Sequence, residues 1–221
     1  WHYVWSVFQD PKGLIDLMGG EENFNKKLDS VFTVPNTVHV GTYGGKIHEM
    51  TEMEMANMGQ YAHGNQPIQH MPYLYNYSGQ PWKAQTRTRE IMEKLYNSTE
   101  NGYPGDEDQG QTSSWYVLSA MGFYSVCPGT NEYVMGSPIF EKTTINLENG
   151  KTFVINAKGN SKDNVYIDSA KLNHKNFTRN YITYQDLIAG GVLNLEMSST
   201  PNKSRGIDDA DKPFSLSASK K

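Results

Sequence analysis

The 221-residue chain has a single cysteine, Cys127, so it forms no disulfide within itself and offers no thiolate set for a metal. No run of eighteen apolar residues appears, so the sequence encodes no transmembrane segment of the helical kind, and the first residues lack the basic-then-apolar pattern of a secretory leader. Positive charge is not in excess: 20 Lys and Arg stand against 24 Asp and Glu. A chain without a basic field has little to draw in a phosphate backbone, so nucleic acid is not an expected partner. The chain opens on WHYVWSVF with no initiator Met and reads as a piece of a longer one. On that reading the missing leader says nothing about where the parent works.

What is abundant is aromatic. Fourteen Tyr and four Trp bring aromatics to 12%, enough for large cores or for flat rings that stack on sugars. Up to Tyr124 the apolar residues recur at helical spacing, over 10–20, 21–32, 48–63, 81–98 and 109–124, predicting five or six helices in antiparallel succession. Asp10-Pro11 and Gly19-Gly20 bracket the first of them as start and stop signals. After CPGT (127–130) the period drops to two. Residues 143–157 read as strand, Asn149-Gly150 turn and strand, and 164–173, 179–186 and 190–198 continue the alternation. The expected fold class is mainly α followed by β, with a small antiparallel sheet or sandwich over 131–205. Residues 206–221 lose all periodicity and are expected to form a flexible tail.

Three stretches could carry chemistry. In GDEDQG, Gly105 and Gly110 bound a turn holding Asp106, Glu107 and Asp108 at the start of a helix, where free N–H groups favour anions. Two readings are open there: Asp106 or Asp108 caps the helix, or the carboxylates act on a ligand. An EF-hand is rejected, because its twelfth position is Val117 rather than Glu, but oxygen ligation of a hard cation is not. In YAHGNQPIQHMPYLYNYSGQPW, Asn65 and Gln66 sit between Gly64 and Pro67, where amide or carbonyl oxygens could ligate calcium or simply form a polar turn. In GKIHEM, His48 and Glu49 precede a helix, and capping is as open as a functional role.

WHYVWSVFQDPKGLIDLMGG, HGNQPIQHMPYLYNYSGQPW and GYPGDEDQGQTSSWYVLSAMGFYSVCPG together closely resemble the C-terminal part of glycoside hydrolase family 92, the calcium-dependent exo-acting α-mannosidases common in gut Bacteroidetes. The resemblance covers residues 1–130 and implies the second half of an (α/α)6 barrel there. It implies that Asp106 and Asp108 are the general-base carboxylates, that Asn65, Gln66 and Asp108 neighbour a Ca2+ ion, and that His48 and Glu49 contact the leaving-group sugar of α-1,2 linkages. Inverting hydrolysis sets a base and an acid about 6.5–9.5 Å apart on opposite faces of the sugar. The family's acid is a Glu in an E-G-N-x-W-like motif, which on Trp1 would fall four residues before the chain. The isolated piece is therefore expected to be inactive, and its open faces to be covered by the missing N-terminal part of the parent or by another copy in a homo-oligomer. The resemblance further implies a periplasmic, cell-surface or secreted parent acting on mannose-containing glycans. Two other readings stay open: a non-catalytic carbohydrate-binding or interaction module, and a different (α/α)6 glycosidase or lyase.

Overall fold

The computed structural model describes residues 2–218. Helix α1 (Pro11–Leu17) starts where Asp10 accepts the Gly13 N–H and Pro11 fills the first turn. Helix α2 (Glu21–Thr33) has Glu21 and Glu22 at its positive end and buries Phe24, Leu28, Val31 and Phe32. Helix α3 (His48–Ala56) is shorter than the expected 48–63. Asn57 adopts a left-handed conformation (φ 49°) and ends it, and Gly59 then lies so close to α2 that a Cβ there would meet the Val31 carbonyl at 2.4 Å. Helices α4 (Pro81–Leu95) and α5 (Gln111–Met121) follow the expected spans within a few residues, α5 ending at Gly122. Between α3 and α4 the chain makes two 3-10 turns, Gln66–Ile68 and Met71–Tyr77, and the second is buried along its whole length. Asn76, in a sequon, is among the buried residues and bonds the carbonyls of Tyr73 and Met135.

The second half holds two sheets. Strands β1 (Phe123–Tyr124), β2 (Glu132–Met135) and β7 (Tyr181–Thr183) form an antiparallel trio in the order β1-β2-β7. Strands β3 (Lys142–Asn146), β4 (Thr152–Lys158), β5 (Tyr166–Leu172), β6 (Lys175–Asn176) and β8 (Gly191–Ser198) form a five-stranded sheet in the order β3-β4-β8-β5-β6. The β3–β4 hairpin matches the alternation in the sequence, with Ile145 opposite Phe153. The purely antiparallel expectation needs correcting, because β4 and β8 run parallel, Ile155 opposite Leu193. The reason lies in 179–186, which is not one strand. Thr183 and Asp186 form a capping box that starts helix α6 (Tyr184–Ala189), and Gly190 and Gly191 (φ 74° and 131°) then turn the chain into β8 alongside β4.

One apolar cluster lies in the helical half, around Trp5, Phe24, Tyr61, Tyr73 and Trp115. Another lies on the sheets, around Phe153, Ile155, Ile182 and Leu195, and takes in Phe123 and Met135. Helix α4 bridges the two. Its Arg89 bonds the Asn160 side chain (2.8 Å) and the Ser161 carbonyl (2.7 Å), and its Gln85 accepts the Ile167 N–H.

Residues 206–218, expected as part of a loose tail, instead form a strap across both halves; 219–221 lie outside the described residues. The Asp211 carbonyl accepts the Asn180 N–H, and the Asp211 carboxylate accepts the Thr178 hydroxyl. Lys212 pairs with Glu21 of α2 at 2.6 Å. Glu132 of β2 accepts the Phe214 N–H. Asp10 then collects the Ser215 hydroxyl and both the N–H and hydroxyl of Ser217. Low periodicity hid this segment because polar and backbone groups hold it, not an apolar face.

Partial burial works against the Asp10 charge, but the bonds from Ser217, Ser215 and Gly13 overcome it and lower its pKa from 3.8 to about 2. A carboxylate depressed in the folded state adds stability that is complete above its ordinary pKa and lost as pH falls through the folded one. Asp10→Asn is therefore expected to be less stable than the native chain above about pH 4, the gap closing towards about pH 2. Urea melts at stepped pH measure this. Removing residues 206–221 is expected to lower the melting temperature by about 5 °C or more, read by calorimetry.

Candidate active site

The acidic turn is shaped by its backbone. Gly105 has φ 70°, and Asp108, Gln109 and Gly110 follow at 52°, 58° and 95°. Two consecutive non-glycine residues in the left-handed region are unusual and need outside support. Glu107 supplies it: its carboxylate accepts the Gly110 N–H at 2.6 Å and the Ser113 N–H at 3.3 Å, capping the start of α5. Bonds from Ser113 and then Gly110 lower the Glu107 pKa. Of the three acids, the cap is therefore Glu107, not Asp106 or Asp108. Those two point to solvent, the Asp106 side chain 72% exposed.

The backbone carbonyl of Asp106 is held from two sides, by the Thr112 hydroxyl of α5 (3.0 Å) and by the Gln66 side-chain amide (3.2 Å). At the start of α3, His48 Nε2 stands 3.4 Å from Glu49 Oε1 and 3.7 Å from Asp106 Oδ2. Three stretches far apart in the sequence thus meet at Asp106. Asn65 lies on the same loop as Gln66, and its Nδ2 stands 3.4 Å from His2 Nδ1. Asp108 is the candidate left apart: among the described residues no hydrogen bond joins its carboxylate to Asn65, Gln66 or His48.

Beside these groups lies a cleft of about 760 Å3, with His2, His39, Tyr43, Glu49, Gln60 and Asn65 among its walls. Among the described residues there is no cluster of three or more His, Cys, Asp or Glu side chains placed to hold a metal. The available donors are of another kind. Gln66 and Asn65 engage through their amide nitrogens, which leaves both amide oxygens, and the Asp108 carboxylate, without a hydrogen bond among the described residues. That is an oxygen set suited in chemistry to a hard cation.

Sequence reading missed two contributors. Glu52 lies one helical turn below His48, and burial raises its pKa, with His48 opposing and Glu49 and Asp106 adding to the rise. The i, i+4 spacing from His48 was the signal that could have found it. The other is the layer beneath. Tyr96 Oη donates to the Thr112 carbonyl (3.2 Å), so it must accept at its 2.7 Å contact with His63 Nε2, which therefore carries the proton. His63 Nδ1 then accepts from Tyr61 Oη at 2.6 Å. Burial lowers the His63 pKa to about 3 and keeps the ring neutral. Gln69 extends this layer: it donates to Thr112 Oγ1, and its carbonyl accepts the Trp115 indole N–H. Thr112 thus ties the buried network to the Asp106 carbonyl.

Residues 1–199 match the glycosyl hydrolase family 92 catalytic domain. The chain is 59% identical to a family 92 inverting mannosidase of Bacteroides thetaiotaomicron VPI-5482, superposing with a TM-score of 0.85 over 98% of its own length and 29% of that protein's. A family 92 α-mannosidase of Bacteroides thetaiotaomicron is 36% identical, with a TM-score of 0.84 over 97% of this chain and 27% of that one. That mannosidase has also been solved with mannoimidazole, and in that form it is 37% identical with a TM-score of 0.85, over 96% of this chain and 27% of that one. An uncharacterized secreted glycosidase of Arthroderma benhamiae is 31% identical over 99% of this chain and 25% of its own length. The chain thus spans between a quarter and three-tenths of the proteins it matches.

His63→Ala would strand the Tyr61 hydroxyl and unseat Tyr96 beneath Thr112. It is expected to cost about 2–4 kcal/mol of stability, by denaturant unfolding. Tyr96→Phe, which removes one hydroxyl and keeps the ring, is expected to cost about 1–2 kcal/mol.

Proposed function

Since the chain belongs to glycosyl hydrolase family 92, we propose that its full-length parent is an inverting exo-α-mannosidase that removes terminal α-1,2-linked mannose from glycans, and that this segment supplies the base side of the reaction. One observation carries the reading. The exposed Asp106 carboxylate stands 3.7 Å from His48 while its backbone is clamped by Gln66 and Thr112, so motifs from three places converge on one aspartate.

In this mechanism Asp106, assisted by Asp108, takes a proton from a water molecule, whose oxygen bonds to the anomeric carbon from the face opposite the leaving group. The glycosidic C–O bond breaks, and its electron pair takes a proton from a carboxylic acid on the other face. The resemblance puts that acid upstream of Trp1, itself outside the described residues, so the 221-residue chain alone would not turn over. His48 and Glu49 would contact the leaving-group sugar, which the cleft beside Glu49 has room for. Asn65, Gln66 and Asp108 would hold a calcium ion, their hard oxygen donors fitting that cation rather than a softer one. When bound, calcium would engage vicinal mannose hydroxyls and stabilise charge near the reacting carbon.

The fold would then be the second half of an (α/α)6 barrel with a β subdomain after it. The parent would act outside the cytoplasm, in keeping with the Arthroderma benhamiae relative named as secreted. The test uses the full-length protein on α-1,2-mannobiose. Asp106→Asn is expected to lower kcat by about 10²–10⁴-fold, with β-mannose as the first product by proton NMR and a loss of rate on chelation that calcium restores. First-formed α-mannose, or an Asp106→Asn protein as fast as the native one, would overturn the reading. Mannose binding without turnover, unaffected by chelation or by Asp106→Asn, would instead identify a carbohydrate-binding module.

A further inference from the structure

The chain contains the same tripeptide twice, as Glu100-Asn101-Gly102 and as Glu148-Asn149-Gly150. An asparagine followed by glycine is chemically labile, because the next main-chain nitrogen has no Cβ beside it and can reach the side-chain amide carbon. By sequence the two sites are equivalent, but their surroundings in the fold differ.

Asn149 is locked in the β3–β4 turn. Its Nδ2 donates to the Ile188 carbonyl at 2.8 Å, and its Oδ1 accepts the Lys151 N–H at 3.0 Å. The nitrogen that would attack it, that of Gly150, donates to the Leu147 carbonyl at 3.0 Å. Asn101 lies exposed in the connection between α4 and α5. Among the described residues neither its side-chain amide nor the Gly102 N–H makes a hydrogen bond. The bond formed there falls on the Gly102 carbonyl instead, from the Asn97 N–H at 2.9 Å, and so leaves the reacting atoms free.

We propose that Asn101 is a site of spontaneous deamidation and isoaspartate formation, from which the fold protects Asn149. The Gly102 nitrogen gives its proton to solvent and bonds to Asn101 Cγ. The Cγ–Nδ2 bond breaks, and the nitrogen takes up a proton and leaves as ammonia, closing a five-membered succinimide. Water then opens the ring. Attack at Cγ yields aspartate, and attack at the main-chain carbonyl carbon yields isoaspartate, whose main chain runs through Cβ and Cγ. Water is the one co-reactant, and nothing is oxidised or reduced. Either product adds a negative charge beside Glu100, and isoaspartate also lengthens by one carbon the loop that leads into the 105–110 turn.

The experiment incubates the full-length protein at physiological temperature and stepped pH, folded and in denaturant. Peptide mapping by mass spectrometry, with electron-transfer fragmentation to separate aspartate from isoaspartate, follows both asparagines. In the folded protein Asn101 is expected to be lost about 10- to 100-fold faster than Asn149, whose extra hydrogen bonds must open first. Isoaspartate should be among the products, and the rate should climb with pH because the attacking nitrogen must lose a proton. In denaturant the two sites should react within about threefold of each other. Equal rates in the folded protein, an Asn101 that reacts only in denaturant, or a disparity that survives denaturation would each overturn the proposal. None of these readouts requires turnover, so the result stands apart from the mannosidase reading.

Discussion

The carbonyl oxygen of Asp106 receives two donors from different parts of the chain, the Gln66 amide and the Thr112 hydroxyl. Each net bond is worth only about 1 kcal/mol, so their importance lies in geometry. A turn with two non-glycine residues in the left-handed region has few other constraints, and holding the one carbonyl fixes where the neighbouring carboxylate begins. Glu107 completes the arrangement by meeting the N–H groups at the start of α5. Three acids crowded into one turn then divide the work: one neutralises the helix end, and two stay free at the surface.

That division also explains what could be read in the sequence. The existence of an acidic turn at a helix start followed from GDEDQG and the apolar spacing after it. Which acid would cap could not be read, because all three lie within reach of the same N–H groups and only the turn's backbone decides. The convergence of His48 with Asp106 was likewise invisible to local pattern, since 58 residues separate them; the family resemblance implied a role for each residue separately, and their 3.7 Å approach is seen only in the structure. Glu52 was concealed among the acids of HEMTEMEMA.

In the fold, periodicity served best where apolar burial does the organising. Helices α2 and α4 and the β3–β4 hairpin follow their stripes closely. It failed where hydrogen bonds or single backbone conformations take over. Asn57 ended α3 early, a capping box cut the alternation of 179–186 short, and the strap of 206–218 is held by side-chain oxygens and main-chain groups. The parallel β4–β8 pair belongs to the same class, because strand direction depends on how the chain returns and not on which residues alternate.

The strap joins residues that are very distant along the polymer: Ser215 and Ser217 meet Asp10 across 205 and 207 positions, and Lys212 reaches Glu21 across 191. Such contacts reward folding only after nearly all intervening chain has found its place, so they belong to the last stage of assembly. During synthesis, α1 and α2 emerge long before the segment that fastens them. Until it arrives, the Asp10 carboxylate has, among the described residues, the Gly13 N–H of its own helix alone, and the helical layer must persist on its own apolar contacts and buried hydrogen bonds.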